Sequence, residues 1–284
     1  MTNPPSPLAR RIELGSLLRH YRSRAGLDVA EVAKALGWSY VQKVGLVEGG
    51  KRTLAPTEVS TLADLFELNT TERTLVSQLA AEARKRDPGP AFAADWAQTY
   101  LALESAASHL KLFTEELVPG VLQTEDYART VLTEGLTLTP DEIELAVERR
   151  SERQTRLTAP GAPRVTAVLS ESCLRRLVGG PSIMLHQLEH IAKIASSSNV
   201  ALHVLPFAAG AHLALGTSFT LIHLGDPVVT FVYLEALTDS EFYDRPPHTE
   251  VYTLAFDRAQ RAALSQTNTT ELLNVFIQEL KQME

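Results

Sequence analysis

Within one short stretch, Ser39, Tyr40, Gln42, Lys43 and Leu46 are followed by Lys51 and Arg52. A hydroxyl, a phenol, an amide and three cations can hydrogen-bond to base edges and neutralise phosphates, and a leucine can lie against a thymine methyl. The chemistry these types allow is recognition of double-stranded DNA.

Other candidates are weaker. His186 and His190 stand four apart on an expected helix, but no carboxylate or cysteine pattern completes a metal site around them. Ser170, Ser172 and Cys173 follow an expected strand without the Gly-x-Ser-x-Gly elbow that activates a nucleophile. Gly179-Gly180-Pro181 lacks the Lys-Ser/Thr of a phosphate cradle and reads as a turn leading into a helix. No catalytic, metal-binding or cofactor-binding residue is expected, and the protein is read as a non-enzyme.

The DNA-binding candidates need a scaffold, and the preceding sequence supplies one. Ile12, Leu14, Leu17, Leu18 and Tyr21 recur at helical spacing up to Gly26. Asp28 and Glu31 form an Asp-x-x-Glu capping box for a short second helix ending at Gly37. Ser39 and Gln42 predict a second box, Ser-x-x-Gln, opening a third helix. Val41, Val44 and Val47 would then be its buried face, with Tyr40, Gln42, Lys43 and Leu46 nearer solvent. The capped N-terminus of that helix would direct backbone N–H groups toward phosphate, and Lys51 and Arg52 would suit flanking phosphates. Pro56 opens a fourth helix and Thr70/Thr71 a fifth, so the pattern is an all-α five-helix helix-turn-helix domain.

The domain organisation follows from composition. The chain has 284 residues, 44% of them hydrophobic and 21% charged, which suits two folded domains. Its net charge is −7, yet Met1–Ala55 holds 9 basic against 4 acidic residues, so a positive head precedes an acidic body. Residues 1–11 read as a flexible leader, 12–86 as the helix-turn-helix domain, and 87–95, with Pro88-Gly89-Pro90, as a linker.

Residues 96–284 read as a larger α+β domain that regulates or binds a partner. Helices are expected at Trp96–Phe113, Asp126–Leu132, Pro140–Leu157, Pro181–Ala195, Thr249–Leu264 and Thr270–Met283. Strands are expected at Arg164–Leu169, Val200–Leu205, Ser218–Leu224 and Val228–Leu234. The last helix places Leu272, Phe276, Leu280 and Met283 on one stripe with Leu273 and Ile277 beside it, which favours core burial over dimerisation. The segment Val118–Leu122 and the loop Pro206–His212 read as structural turns, with a pocket or partner groove as the alternative. Cys173 is the single cysteine, and no apolar run suits a signal peptide or a membrane span, so a cytoplasmic protein without membrane contact is expected.

Whole stretches carry a resemblance. The run from Leu27 to Ser39, with Lys43-Val44 and Val47-Glu48-Gly49-Gly50-Lys51-Arg52, resembles the Xre/Cro-C1-type helix-turn-helix family. Leu117-Val118-Pro119-Gly120-Val121-Leu122-Gln123-Thr124-Glu125-Asp126-Tyr127-Ala128-Arg129, Val204–His212 and Phe231–Leu237 resemble its actinobacterial WhiJ-like, antitoxin-like regulators. The resemblance spans about Ile12 to Leu280. It implies a sequence-specific DNA-binding transcriptional regulator with a C-terminal sensing or partner-binding domain, and often a small protein encoded by a neighbouring gene. Operator symmetry in this class implies a homodimer. A ligand of unknown identity is a further possible partner.

Two departures from that pattern bear on the site. Three residues, Tyr40-Val41-Gln42, separate Ser39 from Lys43 where the family usually has two, so the third helix is expected to be shifted or bulged at its start. Gly45-Leu46 stands where the family often has Ser-Arg, removing a phosphate or base contact and placing glycine mid-helix. These changes leave open an antitoxin-like protein-interaction module with weakened DNA binding, or a small-molecule receptor.

Overall fold

The computed structural model describes residues 5–85, 95–135, 138–157, 159–225, 228–236 and 239–283. The chain forms two compact units, a helical one reaching Ala107 and an α+β one starting at Ser108. Most of the expected linker, and Leu237 of one resemblance motif, lie outside the described residues.

The helical unit contains α1 (Pro7–Arg24), α2 (Val29–Ala35), α3 (Gln42–Glu48), α4 (Pro56–Leu65), α5 (Thr70–Ala83) and α6 (Asp95–Ala106). Helix α1 begins earlier than expected. Ser6 accepts the Ala9 N–H at 3.2 Å and Pro7 occupies the first turn, where its missing N–H costs nothing. Residues 7–11 are therefore helix rather than leader, and Ala9 is fully buried. Helix α6, expected to open the C-terminal domain, packs on α1 and groups by its contacts with the helical unit. The core joins Leu14, Leu17, Leu18 and Tyr21 of α1 to Val32, Val44, Val47, Leu62, Phe66, Val76 and Leu79.

The α+β unit supplies β1 (His109–Thr114), α7 (Glu125–Thr133), α8 (Pro140–Leu157), β2 (Arg164–Ser170), α9 (Glu171–Arg175), α10 (Pro181–Ala195), β3 (Val200–Leu205), β4 (Phe219–Leu224), β5 (Val229–Glu235), β6 (Ser240–Tyr243), α11 (His248–Ala262) and α12 (Gln266–Lys281). The strand order is β3-β2-β1-β4-β5-β6. Pairing of β1 with β2 and of β2 with β3 is parallel, in the registers Leu112↔Ala167 and Ala167↔Leu202, while β5 and β6 are antiparallel. The four expected strands are present to within a residue at each end.

Strand β1 is the main difference in this unit. His109–Phe113 was expected to prolong a helix, yet the segment lies in the sheet with Leu110, Leu112 and Phe113 buried. Neighbours on both sides bury it, and that burial outweighs local preference. Helix α11 contacts β2 and β3, while α10 and α12 contact each other and β3. Helix α12 buries Leu273, Phe276, Ile277 and Leu280, but Met283, expected on this stripe, is exposed.

Candidate nucleic-acid interface

Helices α2 and α3 are joined by a turn whose bonds are specified locally. Asp28 Oδ1 accepts the Ala30 and Glu31 N–H groups at 2.7 and 2.8 Å, and Glu31 Oε2 accepts the Asp28 N–H at 2.8 Å, completing the expected capping box. At the far end Gly37 adopts φ +67°, the Trp38 N–H reaches Ala33 O at 2.8 Å and the Gly37 N–H reaches Lys34 O at 3.1 Å. This pair of bonds is a Schellman stop, and the left-handed conformation it needs favours glycine. Gly50 ends α3 in the same way, at φ +68°, with the Lys51 N–H on Leu46 O at 2.8 Å.

The start of α3 differs from expectation. Ser39 does not cap the helix. The N-cap position is Val41, in helical backbone and with no side-chain bond, and the first helical residue is Gln42. The extra residue between Ser39 and Lys43 is taken up in a tight turn, where the Lys43 N–H bonds Tyr40 O at 3.3 Å and the Val44 N–H bonds Val41 O at 3.0 Å. Val41 is consequently 40% exposed instead of buried, while Val44 and Val47 are core residues.

The outward surface of α3 is uncharged and largely apolar. Gln42, Gly45, Leu46 and Gly49 share one face at helical spacing and all are exposed, Leu46 at 45%. Tyr40, 66% exposed, stands beside Val41 just before the helix. Ser39 and Lys51 are also exposed.

Lys43 and Arg52 lie beside Trp38. The Arg52 guanidinium lies 5.0 Å over the Trp38 ring and the Lys43 ammonium 6.0 Å from it. Trp38 Nε1 donates to Glu58 Oε1 at 3.0 Å, and Arg52 approaches the same oxygen at 3.5 Å. Glu58 Oε2 accepts the Ala55 N–H at 2.7 Å at the start of α4. Arg52 is thus a part of the scaffold around Trp38, a residue the sequence reading passed over. Its position directly after the Gly37 stop, where an apolar residue packs back on the helix, is the signal that marks it.

The basic excess of the head is largely consumed in the same way. Arg22 grips both oxygens of Glu48, Arg19 reaches that carboxylate and its carbonyl, Arg10 pairs with Glu13 and Glu82, Arg24 with Glu72, and Arg73 with Asp64. Donating to the Glu48 carboxylate raises the Arg22 pKa above its ordinary value. The head holds many cations, but Arg10, Arg19, Arg22, Arg24 and Arg73 are paired with carboxylates of neighbouring helices.

In the α+β unit the Val118–Leu122 segment is a buried turn, whereas Phe207 in the Pro206–His212 loop is exposed. Val118, Val121 and Leu122 are buried in and before a single 3-10 turn, Gly120–Leu122. Around it the Val118 N–H donates to Tyr127 Oη at 3.2 Å and Gln123 Nε2 donates to Val118 O at 2.7 Å. Fully buried Gln187 accepts the Thr124 N–H at 2.7 Å and donates to Leu122 O at 2.8 Å. Burial pushes the Tyr127 hydroxyl up to about 12. The loops after β1, β2 and β3 are stapled by glutamates. Glu115 accepts the Gly216 N–H, Glu116 accepts from Ser172 and Arg176, and Glu171 accepts the Phe207 N–H. Arg176 holds the Glu116 carboxyl below the usual carboxylate range.

Ser170 caps α9 through the Ser172 N–H, and Cys173 is fully buried, with its thiol pushed up to about 12 by that burial. Gly179 and Gly180, both at positive φ, lead into Pro181 at the start of α10. His186 is exposed and His190 half-buried on α10. Among the described residues no group of His, Cys, Asp and Glu could hold a metal ion, and no helix is long and apolar enough to cross a membrane.

Two short helices with a glycine-stopped turn, set on a helical core and followed by a mixed α+β unit, define a helix-turn-helix protein with an appended second domain. Residues 13–76 match a helix-turn-helix domain family, consistent with a DNA-binding regulator. Residues 97–275, well over half of the chain, match the domain of unknown function DUF5753, and the chain belongs to that family. Neither the curated proteins nor the solved structures contain a match.

Proposed function

We propose that the chain is a sequence-specific DNA-binding transcriptional regulator. The observation that carries this reading is the α2-turn-α3 pair, which leaves Tyr40, Gln42 and Leu46 exposed on and beside the second helix, where such proteins contact base edges. Ser39 and Lys51 are the adjoining contacts to the backbone, and Lys43 and Arg52 shape the surface around Trp38. The protein acts in the cytoplasm as a homodimer on a two-fold operator, and it is not an enzyme. The resemblance to Xre-type, WhiJ-like actinobacterial regulators supports this assignment.

The α+β unit senses a ligand or binds a partner, such as a small protein from a neighbouring gene. Exposed Phe207, Leu213 and Leu215 in the segment between β3 and β4 support a contact surface there. A second reading, an antitoxin-like interaction module, draws on the apolar exposure of Tyr40, Val41 and Leu46 and on the uncapped start of α3.

The test is fluorescence anisotropy of the full chain with its own upstream DNA and with an unrelated duplex, at several salt concentrations. The regulator reading expects tighter binding to its own DNA and a salt slope reporting several phosphate contacts. Equal weak binding to both, with co-purification of the neighbouring gene product, would favour the interaction module.

A further inference from the structure

We infer that the exposed face of α3 reads A·T base pairs, recognising thymine methyl groups through Leu46, Val41 and Tyr40 and adenine through Gln42. This rests on the DNA-binding reading above and names the bases it would select.

In the major groove guanine is met by Arg or Lys, cytosine by a carboxylate, adenine by Asn or Gln, and thymine by apolar contact with its methyl group. The outward residues of α3 are Gln42, Gly45 and Leu46, continued by Gly49 at its C-cap, so the face offers one amide and no cation or carboxylate. The nearby arginines are held, Arg19 and Arg22 on Glu48 and Arg52 beside Trp38 and Glu58, while the Lys43 ammonium lies 6.0 Å from the Trp38 ring and Lys51 stands past the end of the helix, off this face. What remains is an amide suited to adenine N6 and N7, and apolar groups at Tyr40, Val41 and Leu46 exposed by 66%, 40% and 45%. The thymine methyl is the apolar group that the groove presents to them.

Gly45 is an independent observation. It lies inside α3 at ordinary helical φ, and a Cβ built on it meets nothing within 4 Å. The fold therefore gives no steric reason for glycine, which weakens a helix relative to alanine. A bare backbone beside Gln42 and Leu46 lets the helix approach the groove floor closely. Lys51, exposed just past the helix, supplies charge complementary to the phosphates.

The experiment selects sites for the full chain from a pool of duplexes with a randomised centre, then measures affinity for the selected site with single thymines replaced by deoxyuridine. A·T pairs should dominate the selected core. Each contacted thymine should lose about three- to five-fold in affinity when its methyl is removed. Leu46→Ala should abolish that loss at one position, and Gln42→Leu should reduce preference for adenine by about five-fold or more at another. Gly45→Ala should keep the tryptophan fluorescence of the folded chain and weaken binding to the selected site.

A selected core of G·C pairs, or an A·T core indifferent to deoxyuridine and unchanged in Leu46→Ala and Gln42→Leu, would overturn the inference while leaving DNA binding intact. No enrichment of any sequence would remove sequence-specific DNA binding itself, and the inference with it. That outcome would turn the apolar face toward a protein partner.

Discussion

Arg22 of α1 holds Glu48 at the end of α3 by two bonds, Nε to Oε1 at 2.6 Å and a terminal nitrogen to Oε2 at 3.1 Å. Arg19 adds a contact to Oε2 at 3.3 Å and a bond to the Glu48 carbonyl at 2.8 Å, and the Glu48 side chain is only 6% exposed. Because Glu48 ends the helix that carries Gln42 and Leu46, the pair sets how α3 is presented on α1. Glu48→Ala would leave two half-buried guanidinium groups without their carboxylate. A loss of roughly 2–3 kcal/mol is expected, below the range for fully buried pairs because both arginines keep some solvent. Trp38 packs against the core of the helical unit, so urea unfolding followed by tryptophan fluorescence reports this unit.

Two glycines of the head should respond oppositely to alanine. A Cβ on Gly15 would lie 2.5 Å from Val47 O and 2.7 Å from Glu48 O, both backbone atoms, so α1 and α3 must separate. Gly15→Ala is expected to cost about 1–3 kcal/mol. Gly45→Ala, in open space, is expected to stabilise by up to about 1 kcal/mol. The same urea titration compares them, and equal shifts would contradict the close approach at Gly15.

Lys51 and Arg52 are neighbours in sequence with different tasks. Lys51→Ala should lower the slope of log affinity against log salt by about one and leave stability unchanged, because the side chain is exposed. Arg52→Ala removes the group stacked on Trp38, so it should shift tryptophan fluorescence and lower the melting temperature. Anisotropy at several salt concentrations and a thermal melt separate the two effects.

Gln187 satisfies two backbone groups from a fully buried position. Gln187→Leu would leave the Thr124 N–H and the Leu122 carbonyl without this partner, at a cost of about 2 kcal/mol or more. Calorimetry of the full chain should show the transition of the α+β unit shifted down, with the head's urea transition unchanged.

His190 gives a pH dependence whose sign is set by burial. Desolvation, and then Lys193, lower its pKa below the ordinary value, so the folded chain takes up the proton less readily than the unfolded chain. Its contribution to stability is complete above the unfolded pKa of about 6.5, is lost as pH falls toward the folded pKa, and levels off below it. The melting temperature of the native chain should fall more between pH 7.5 and 5.5 than that of His190→Gln. Parallel curves would contradict this assignment.

Much of the scaffold was legible because its signals are local. A capping box needs only Asp28 and Glu31, and a Schellman stop only Gly37 or Gly50, so α2 and the ends of the turn follow from neighbouring residues. Strands β2 to β5 carry their own β-branched and aromatic residues. The exposure of Gln42 and Leu46 likewise followed from helical spacing, while the same spacing misplaced Val41, which lies before the helix.

Long-range partners decided the rest. His109–Thr114 became a strand because β2 pairs with it, and β2 begins 50 residues after β1 ends. The charge count of the head promised a basic surface, but the arginines belong to carboxylates as distant as Glu48 from Arg19 and Glu82 from Arg10. Ser39 had the right type and spacing for a cap, yet burial of Val44 and Val47 in the core coincides with a helix that starts at Gln42. Local sequence thus determined the types of most elements and their stops. Which side chains remained available to a ligand was decided by tertiary packing, because an ion pair or a buried face depends on what the chain brings back from far along its length.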